Sequence, residues 1–449
     1  MCAPSSEPGK HLNPATDAEP PPVARAQPAV RRWALPRAFS SLQQRNFRLF
    51  WFGQMVSLVG TFMQSIGQAW LVLELTHSAL QLGLVGALQS LGVLLFSIFG
   101  GVFADRWPKR RILLLTQTAA MLQAALLWTL IATGAIQLWH IYILAALLGL
   151  TNSLDLPTRQ AFIVELVGRE DISNAVALNS SLVNLTRIIG PSLGGVIIAA
   201  SGVSSLFLLN ALSYLAVLLG LALIDTRTLH AQAARRDGER QTTWQSLREG
   251  MTYIWQTPTV SLLIVVVGLV LLFGSNFNIL LPLFATRVLH AGPRGFGFLS
   301  GALSVGALAG ALWLASGARR PTIRSVLLGA LAFSVLEGVF ALSESYPLSL
   351  ALIATVGFME TSFAALAIVI LQSVAPDHLR GRVMSAYILF FDGSVPVGYL
   401  LVGWLSQTFG APRALLTCAL LSLTVVAIGW LWSQRVATHG TAEAAEPTG

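Results

Sequence analysis

Apolar stretches long enough to cross a lipid bilayer recur twelve times along the chain after Asn46. A helix needs about 20 predominantly apolar residues to span a hydrocarbon core about 30 Å thick. Because backbone polar groups in lipid must be satisfied within the segment, and because these stretches lack the polar alternation of barrel strands, helices are the expected structure. We therefore predict an all-α membrane protein with twelve transmembrane helices in two six-helix halves. The predicted spans are residues 47–75, 80–103, 111–134, 138–158, 173–200, 203–224, 259–289, 294–316, 322–343, 346–374, 381–408 and 411–433.

The charge content argues against a soluble globular protein. Only 11% of the 449 residues are charged, whereas about 25% of the residues in an average soluble domain are charged. If the N terminus is cytoplasmic, 24 of the 28 lysines and arginines lie on the inner side. This asymmetry follows the positive-inside rule and predicts that both termini are cytoplasmic. It also accounts for the net charge of +8, so the expected surroundings are a lipid bilayer and no nucleic-acid partner is expected.

The longest inner loop divides the chain into its two halves. The second part of this loop places Trp244, Leu247, Met251 and Ile254 on one helical face. We expect a short amphipathic helix there, either lying on the membrane surface or acting as a solvated linker. The predicted organisation is a disordered cytoplasmic tail at 1–46, a first half at 47–224, this linker at 225–258, a second half at 259–433 and a cytoplasmic tail at 434–449.

Polar side chains follow one face of the first span. Gln54, Ser57, Thr61, Gln64 and Gln68 succeed one another at steps of 3, 4, 3 and 4, which is the spacing of a single helix face. A polar stripe through a bilayer is satisfied by water or by protein, not by lipid. The stripe therefore predicts a cavity wall that contacts substrate, with interhelical hydrogen bonding as the structural alternative.

Charged residues inside the apolar spans are the candidates for proton coupling. Arg187 lies near the middle of the fifth span, Glu360 lies in the tenth and Asp392 in the eleventh. A charge at such depth costs at least about 2.5–3.5 kcal/mol on insertion scales, so each one requires a partner or an aqueous cavity. We expect a carboxylate to pair with Arg187 and to gain or lose a proton as its exposure changes, with a fixed ion pair as the alternative. Glu337, in the ninth span, ranks lower because nothing polar surrounds it.

The seventh span carries polar residues close to a proline. Ser275, Asn276 and Asn278 precede Pro282, and a proline inside a helix interrupts the helical hydrogen bonds. Interrupted helices at membrane depth often form transporter binding sites. Asn276 and Asn278 are therefore predicted substrate contacts.

The loop after the second span combines one acid with several basic residues. It reads G-V-F-A-D-R-W-P-K-R-R over residues 101–111 and contains Asp105, Arg106 and Arg110. The basic residues fit a cytoplasmic location by the positive-inside rule. A carboxylate such as Asp105 is stabilised when it lies at the amino terminus of a helix.

The fifth span contains the sequence G-P-S-L-G-G over residues 190–195, including Gly190, Pro191 and Gly194. This sequence and the loop at 101–111 resemble the antiporter motif and the signature loop of the major facilitator superfamily. Pro108 stands where the signature loop usually has glycine. The resemblance covers about residues 39–433. The branch of the superfamily that includes the enterobactin exporter and macrolide efflux proteins is resembled by the sequences D-L-P-T-R-Q-A at 155–161, N-A-V-A-L-N at 174–179, R-I-I-G-P at 187–191 and L-R-G-R-V-M-S at 379–385.

The resemblance implies the major facilitator fold in a bacterial inner membrane, with spans one, four, seven and ten around a central cavity. It also implies a cytoplasmic gate formed by Asp105, Arg106 and Arg110, in which Asp105 contacts the eleventh helix near Gly381 and Arg382. The glycines of the antiporter motif are implied to permit a bend that accompanies gating, with close helix packing as the alternative.

The predicted function is secondary transport. Lys10 and Lys109 are the only lysines, so no phosphate-binding G-K-[ST] loop drives the cycle with ATP. No H-E-x-x-H sequence or His/Cys cluster suggests a metal, and neither a cofactor nor an enzymatic activity is expected. We predict a monomer that exports small amphipathic organic molecules, drug-like compounds or siderophores, by proton antiport with alternating access. The alternatives are an importer of a lysolipid or small nutrient, and a non-transporting membrane sensor on the same fold.

Overall fold

The structure is a bundle of long helices without strands in its described residues. This computed structural model describes the backbone of residues 37–230, 243–317 and 321–443, and the side chains of residues 39–96, 107–230, 248–317 and 321–435. Most of the predicted N-terminal tail therefore lies outside the described residues. The helices are α1 (Arg45–Thr76), α2 (Ala79–Arg106), α3 (Lys109–Ala132), α4 (Leu138–Val167), α5 (Ile172–Leu223), α6 (Thr243–Gln256), α7 (Pro258–Gly274), α8 (Phe277–Leu283), α9 (Gly292–Ala315), α10 (Ile323–Ala341), α11 (Tyr346–Val374), α12 (Asp377–Phe409) and α13 (Ala411–Glu443).

The described residues contain eleven apolar segments of membrane-spanning length, and one of them comprises two crossings. Gly202 interrupts α5 with φ 81° and ψ 169°, a conformation that glycine adopts readily because it has no Cβ. This break lies between the predicted spans 173–200 and 203–224. The twelve-helix prediction is therefore confirmed. The crossing Pro258–Val288 consists of α7, α8 and a π-helical turn at Phe284–Val288.

Helices α1 to α5 form the first half and helices α7 to α13 form the second, each with aromatic side chains packed inside it. Phe50 of α1 lies edge-on to Phe162 of α4 with 5.6 Å between ring centroids. In the second half, Phe284 stacks on Phe340 at 4.9 Å. We call the side on which α1 begins the tail side and the opposite side the far side.

The two halves are hydrogen-bonded to each other on the far side. The side-chain oxygen of Gln407, in α12, accepts bonds from the Ser78 hydroxyl at 3.1 Å and the Ala79 N–H at 2.8 Å. Arg287 donates to the carbonyl oxygen of His77. Since His77 and Ser78 form the turn between α1 and α2, and Ala79 begins α2, these bonds join this corner of the first half to the second half.

Helix α6 packs against the tail side of the second half. Arg382 of α12 pairs with Glu249 of α6, and the Tyr253 hydroxyl donates to the carbonyl oxygen of Val374 at 3.3 Å. On the predicted apolar face Ile254 is buried and Met251 is exposed, while the side chains of residues 244 and 247 lie outside those described. Helix α13 continues to Glu443, ten residues past the predicted end of the last span.

Candidate functional site

A cavity of about 800 Å³ lies between the two halves. Its first-half wall is formed by α1, α2, α4 and both segments of α5, and its second-half wall by α7, α8, α9, α11 and α12. The four spans expected to surround a cavity, the first, fourth, seventh and tenth, all contribute to this lining. Three polar lining residues, Thr61, Arg187 and Glu360, are each near the middle of their spans. The cavity therefore occupies the depth at which secondary transporters hold their cargo.

The polar stripe of α1 divides into two parts. Thr61, Gln64 and Gln68 line the cavity, as predicted for a cavity wall. Gln54 and Ser57 do not, because they are 1% and 2% exposed and lie where α1 packs tightly on α5. The side-chain amide of Gln54 has no hydrogen-bond partner among the described residues. The structural alternative, helix packing, thus fits the tail-side part of the stripe better than substrate contact does.

The tight packing beside Gln54 has a local cause. A Cβ on Gly53 would lie 2.9 Å from the carbonyl oxygen of Ala216, closer than side-chain carbons approach other atoms. Glycine at position 53 lets the α1 and α5 backbones touch. No room is left there for cargo.

A network of side-chain amides fixes Gln64 within the first half. Its Nε2 donates to Oε1 of Gln123 in α3 at 2.9 Å, and its Oε1 accepts from Nδ2 of Asn210 in α5 at 2.6 Å. Gln68, one turn further along, has a longer contact of 3.5 Å with Oε1 of Gln89. Gln89, which the sequence analysis did not single out, also lines the cavity. Its only sequence signal is that it is one of two glutamines in an apolar span.

The predicted break in the seventh span is present, but it lies before Pro282 by several residues. Helix α7 ends at Gly274 and α8 begins at Phe277. Nδ2 of Asn276 donates to the carbonyl oxygens of Leu272 and Phe273 at 2.8 and 3.0 Å. These bonds satisfy backbone groups at the break, so Asn276 is 2% exposed and does not line the cavity.

Asn278 does face the cavity and joins α8 to α12. Its Nδ2 donates to the hydroxyl of Tyr399 at 2.8 Å, and both residues line the cavity. The predicted contact role of Asn278 is thus compatible with its position. Tyr399 lies seven residues after Asp392, which places the two residues on one face of α12.

Two opposite charges face the cavity from opposite halves. The guanidinium carbon of Arg187 lies 5.7 Å from the ring centroid of Phe62, and the carboxylate of Glu360 accepts a hydrogen bond from Ser275 at the break. Arg187 lies within electrostatic range of Glu360, although neither appears in a direct ion pair among the described residues. Asp392 is exposed and is not part of the lining. Of the charged residues predicted for coupling, the structure brings Arg187 and Glu360 together.

The glycines of the antiporter motif contact two different helices. A Cβ on Gly190 would lie 2.6 Å from Cβ of Phe62 in α1, and a Cβ on Gly194 would lie 3.4 Å from Cα of Met63. Gly195 instead faces the second half, where a Cβ would lie 2.4 Å from the carbonyl oxygen of Pro293. The motif therefore permits close packing within the first half and across the boundary between the halves.

Pro191 occupies the same crossing. It lines the cavity, and its carbonyl oxygen lies 2.5 Å from the position of a Cβ on Gly297 of α9. The proline lacks the N–H that would continue the helical bonding of α5. A bend-permitting role for the motif remains a prediction.

The predicted gate on the tail side is only partly described. The side chains of Asp105 and Arg106 lie outside the described residues. Arg110 donates to the carbonyl oxygens of Leu221 and Ala222 at 2.7 and 2.9 Å, so it binds the carboxyl end of α5, where a cation is favourable. These two bonds lie within the first half.

The described residues contain no group of three or more His, Cys, Asp or Glu side chains arranged to hold a metal ion. The described residues that line the cavity offer hydrogen bonding from amides and hydroxyls, one cation, one carboxylate and aromatic surface. Such a lining can hold an amphipathic organic molecule without forming a covalent bond to it.

Comparison with known proteins agrees with this architecture. The multidrug efflux pump Tap of Mycolicibacterium fortuitum is 28% identical over 85% of this chain and 94% of its own. The enterobactin exporter EntS of Escherichia coli is 27% identical over 75% of this chain and 79% of its own. A solved structure of a bacterial homologue of the human lysosomal transporter Spinster, inward-facing and unoccupied, is similar with a TM-score of 0.69 at 14% identity, covering 89% of this chain and 98% of that one.

The sequence profile of the transmembrane secretion effector family matches residues 37–446. This match covers nearly all of the chain, including both halves and the linker between them. The chain therefore belongs to the transmembrane secretion effector family of the major facilitator superfamily.

Proposed function

We propose that the protein is a secondary transporter that exports small amphipathic organic molecules, drug-like compounds or siderophores, across the bacterial inner membrane. The observation that carries this proposal is the cavity between the halves, which combines polar anchors with the aromatic side chains of Phe62, Phe277 and Phe391. Rocking of two halves about such a cavity is the basis of alternating access. Similarity to Tap and EntS, an efflux pump and an exporter, supports the outward direction.

The orientation in the membrane is part of the proposal. The basic residues predicted for the inner side support cytoplasmic termini, which makes the tail side cytoplasmic. The hydrogen bonds made by Gln407 and Arg287 then close the periplasmic side. In this arrangement the cavity is in the conformation that receives cargo from the cytoplasm. No enzymatic step is needed for this cycle, and one chain contains the complete cavity.

The coupling ion in this proposal is the proton. Glu360 can bind a proton inside the cavity, and Arg187 faces the same cavity from the other half. Because these groups belong to different halves, rocking changes the distance between them. Cargo and proton would then occupy the cavity alternately, which is antiport.

Transport in oriented membrane vesicles tests this function. Everted vesicles containing the protein would be energised and offered a macrolide, a catecholate siderophore and a cationic dye. We expect accumulation of at least one compound, and its loss when a protonophore is added. Accumulation in right-side-out vesicles alone would instead indicate an importer, and no transport of any kind would favour a sensor.

The divided stripe of α1 yields a matched pair of variants. Gln68→Leu removes an amide that faces the cavity, so we expect KM for an exported compound to rise about five- to tenfold, since one hydrogen bond contributes about 1–1.5 kcal/mol. Gln54→Leu, on the same helix face but enclosed, should leave KM unchanged. Initial rates of export measured over a range of cargo concentrations check this. A larger effect at Gln54 than at Gln68 would contradict the placement of the cavity.

A further inference from the structure

Glu337 is a buried acid that has no role in a transport cycle based on Arg187 and Glu360 alone. It lies in α10 with a side chain that is 0% exposed, and neither of its carboxyl oxygens has a hydrogen-bond partner among the described residues. Burial of an unpartnered carboxylate is unfavourable in its charged form. A purely structural position here would be better filled by an apolar side chain, so the acid requires an explanation.

The surroundings of Glu337 bring it next to the helix break. Its Oε2 is 2.9 Å from the position that a Cβ on Gly274 would occupy, at the last residue of α7. The following residue, Ser275, donates its hydroxyl to Glu360. The absence of a side chain at Gly274 therefore leaves the carboxyl group of Glu337 beside the segment that binds the carboxyl group of Glu360.

Few other titratable groups face Glu337 within the described part of the chain. Glu360 of α11 interacts with it electrostatically, and so does the thiol of Cys418 of α13. Ser334, one turn earlier in α10, donates to the carbonyl oxygen of Ala330 rather than to Glu337. Glu337 and Glu360 are thus two acids in one apolar region, and such acids titrate as a pair.

The two acids also belong to the same half. Glu337 and Glu360 would move together when the halves rock, whereas Arg187 would move relative to both. Proximity of Arg187 favours the ionised form of Glu360, and its withdrawal removes this effect. The position of the first half thereby biases which member of the pair is protonated.

We propose that Glu337 and Glu360 hold one proton in common, with Glu337 keeping it inside the second half and Glu360 exchanging it with the cavity. Transfer breaks the O–H bond of the Glu337 carboxyl group and forms one on the Glu360 carboxylate. The total charge of the pair stays at −1 during the transfer. This inference rests on the proposed proton antiport and adds a second, inaccessible proton site to it.

Charge movement after a pH jump tests the pair without any cargo. Proteoliposomes adsorbed on a solid-supported membrane would be stepped in external pH, and the transient charge displacement recorded. For Glu337→Gln we expect the displaced charge to fall about twofold or more, because the proton can no longer pass from Glu360 to the inner site. Ser334→Ala, a buried neighbour on the same helix, is the matched control and should leave the displaced charge unchanged.

Glu337→Asp provides a second variant that retains the acid. It shortens the side chain by one methylene, so we expect the transient to slow while the total displaced charge is preserved. A merely structural role for Glu337 would not separate rate from amplitude in this way. Size-exclusion chromatography and thermal unfolding would establish that each variant is folded.

The outcomes separate this inference from the function on which it rests. If the unaltered protein displaces no charge and its export does not depend on the pH gradient, proton antiport is wrong. The shared proton of Glu337 and Glu360 is then wrong as well. If export by the unaltered protein is proton-driven but the folded Glu337→Gln variant displaces as much charge as the unaltered protein, only the proposed role of Glu337 is wrong.

Discussion

Replacement of Glu360 by glutamine is expected to abolish export against a concentration gradient while preserving exchange of cargo across the membrane. Glutamine has nearly the size of glutamate and can still accept the hydrogen bond from Ser275, but it cannot carry a proton. Uphill export driven by a pH gradient should fall to the level of protein-free vesicles. Counterflow, in which internal unlabelled cargo drives uptake of labelled cargo, needs no proton movement and should continue.

Asp392→Asn is the matched control for this experiment. Asp392 is the other intramembrane carboxylate predicted for coupling, but its exposed side chain lies outside the cavity lining. We therefore expect pH-driven export to persist in Asp392→Asn. Full uphill export by Glu360→Gln would exclude the coupling role of Glu360, and loss of uphill export in Asp392→Asn alone would move that role to α12.

Replacement of Gly195 by valine should prevent the halves from closing on the far side. A Cβ at this position would lie 2.4 Å from the carbonyl oxygen of Pro293 and 2.9 Å from Cα of Gly297, and both are backbone atoms that cannot rotate away. Overpacking of this kind costs about 1–3 kcal/mol, which lowers the population of the closed conformation about 5- to 150-fold. Export should fall accordingly, because the cycle requires this conformation.

Distances across the far side would measure this shift directly. Spin labels attached to cysteines introduced at Ser201 in α5 and Arg294 in α9 report the separation of the two helices. In Gly195→Val we expect a longer distance to dominate. The control is Gly194→Ala, whose added Cβ would meet Cα of Met63 at an ordinary 3.4 Å and should leave both distance and export unchanged. Identical distance distributions in the two variants would refute the role of this crossing.

The fold followed from the sequence because the bilayer imposes one dominant constraint. Segment length and the need to satisfy backbone groups leave helices as the solution, and the twelve spans are where apolar length predicted them. Local interruptions were harder to place. Pro282 drew attention to the end of the seventh span, whereas the helix breaks at Ser275 and Asn276, where the Asn276 side chain satisfies backbone carbonyls. That stabilisation comes from local side-chain bonding that hydropathy does not report.

The site was predicted less completely, for a different physical reason. Spacing on a helix establishes that Gln54 and Gln68 share a face, but only the packing partner decides whether that face is enclosed or open. Gly53 brings α5 against one end of the stripe, and the cavity begins beyond it. Glu337 shows the converse, since Ser334 is the only polar residue within five positions of it in the sequence. Its neighbour Glu360 comes from another helix, through a contact between elements that no single-span pattern encodes.

The unequal distribution of side-chain amides between the cavity walls has a consequence for how such a protein can diversify. The amides of Gln64, Gln68 and Gln89 belong to the first half, whereas the acid at Glu360 and the helix break belong to the second. Substitutions that change which molecules are recognised can therefore accumulate at the amides of the first half while Arg187 and Glu360, the groups assigned to energy conversion, stay intact. Related proteins can therefore evolve to export new molecules through substitutions at these amides, without any change in the residues that couple export to the proton gradient.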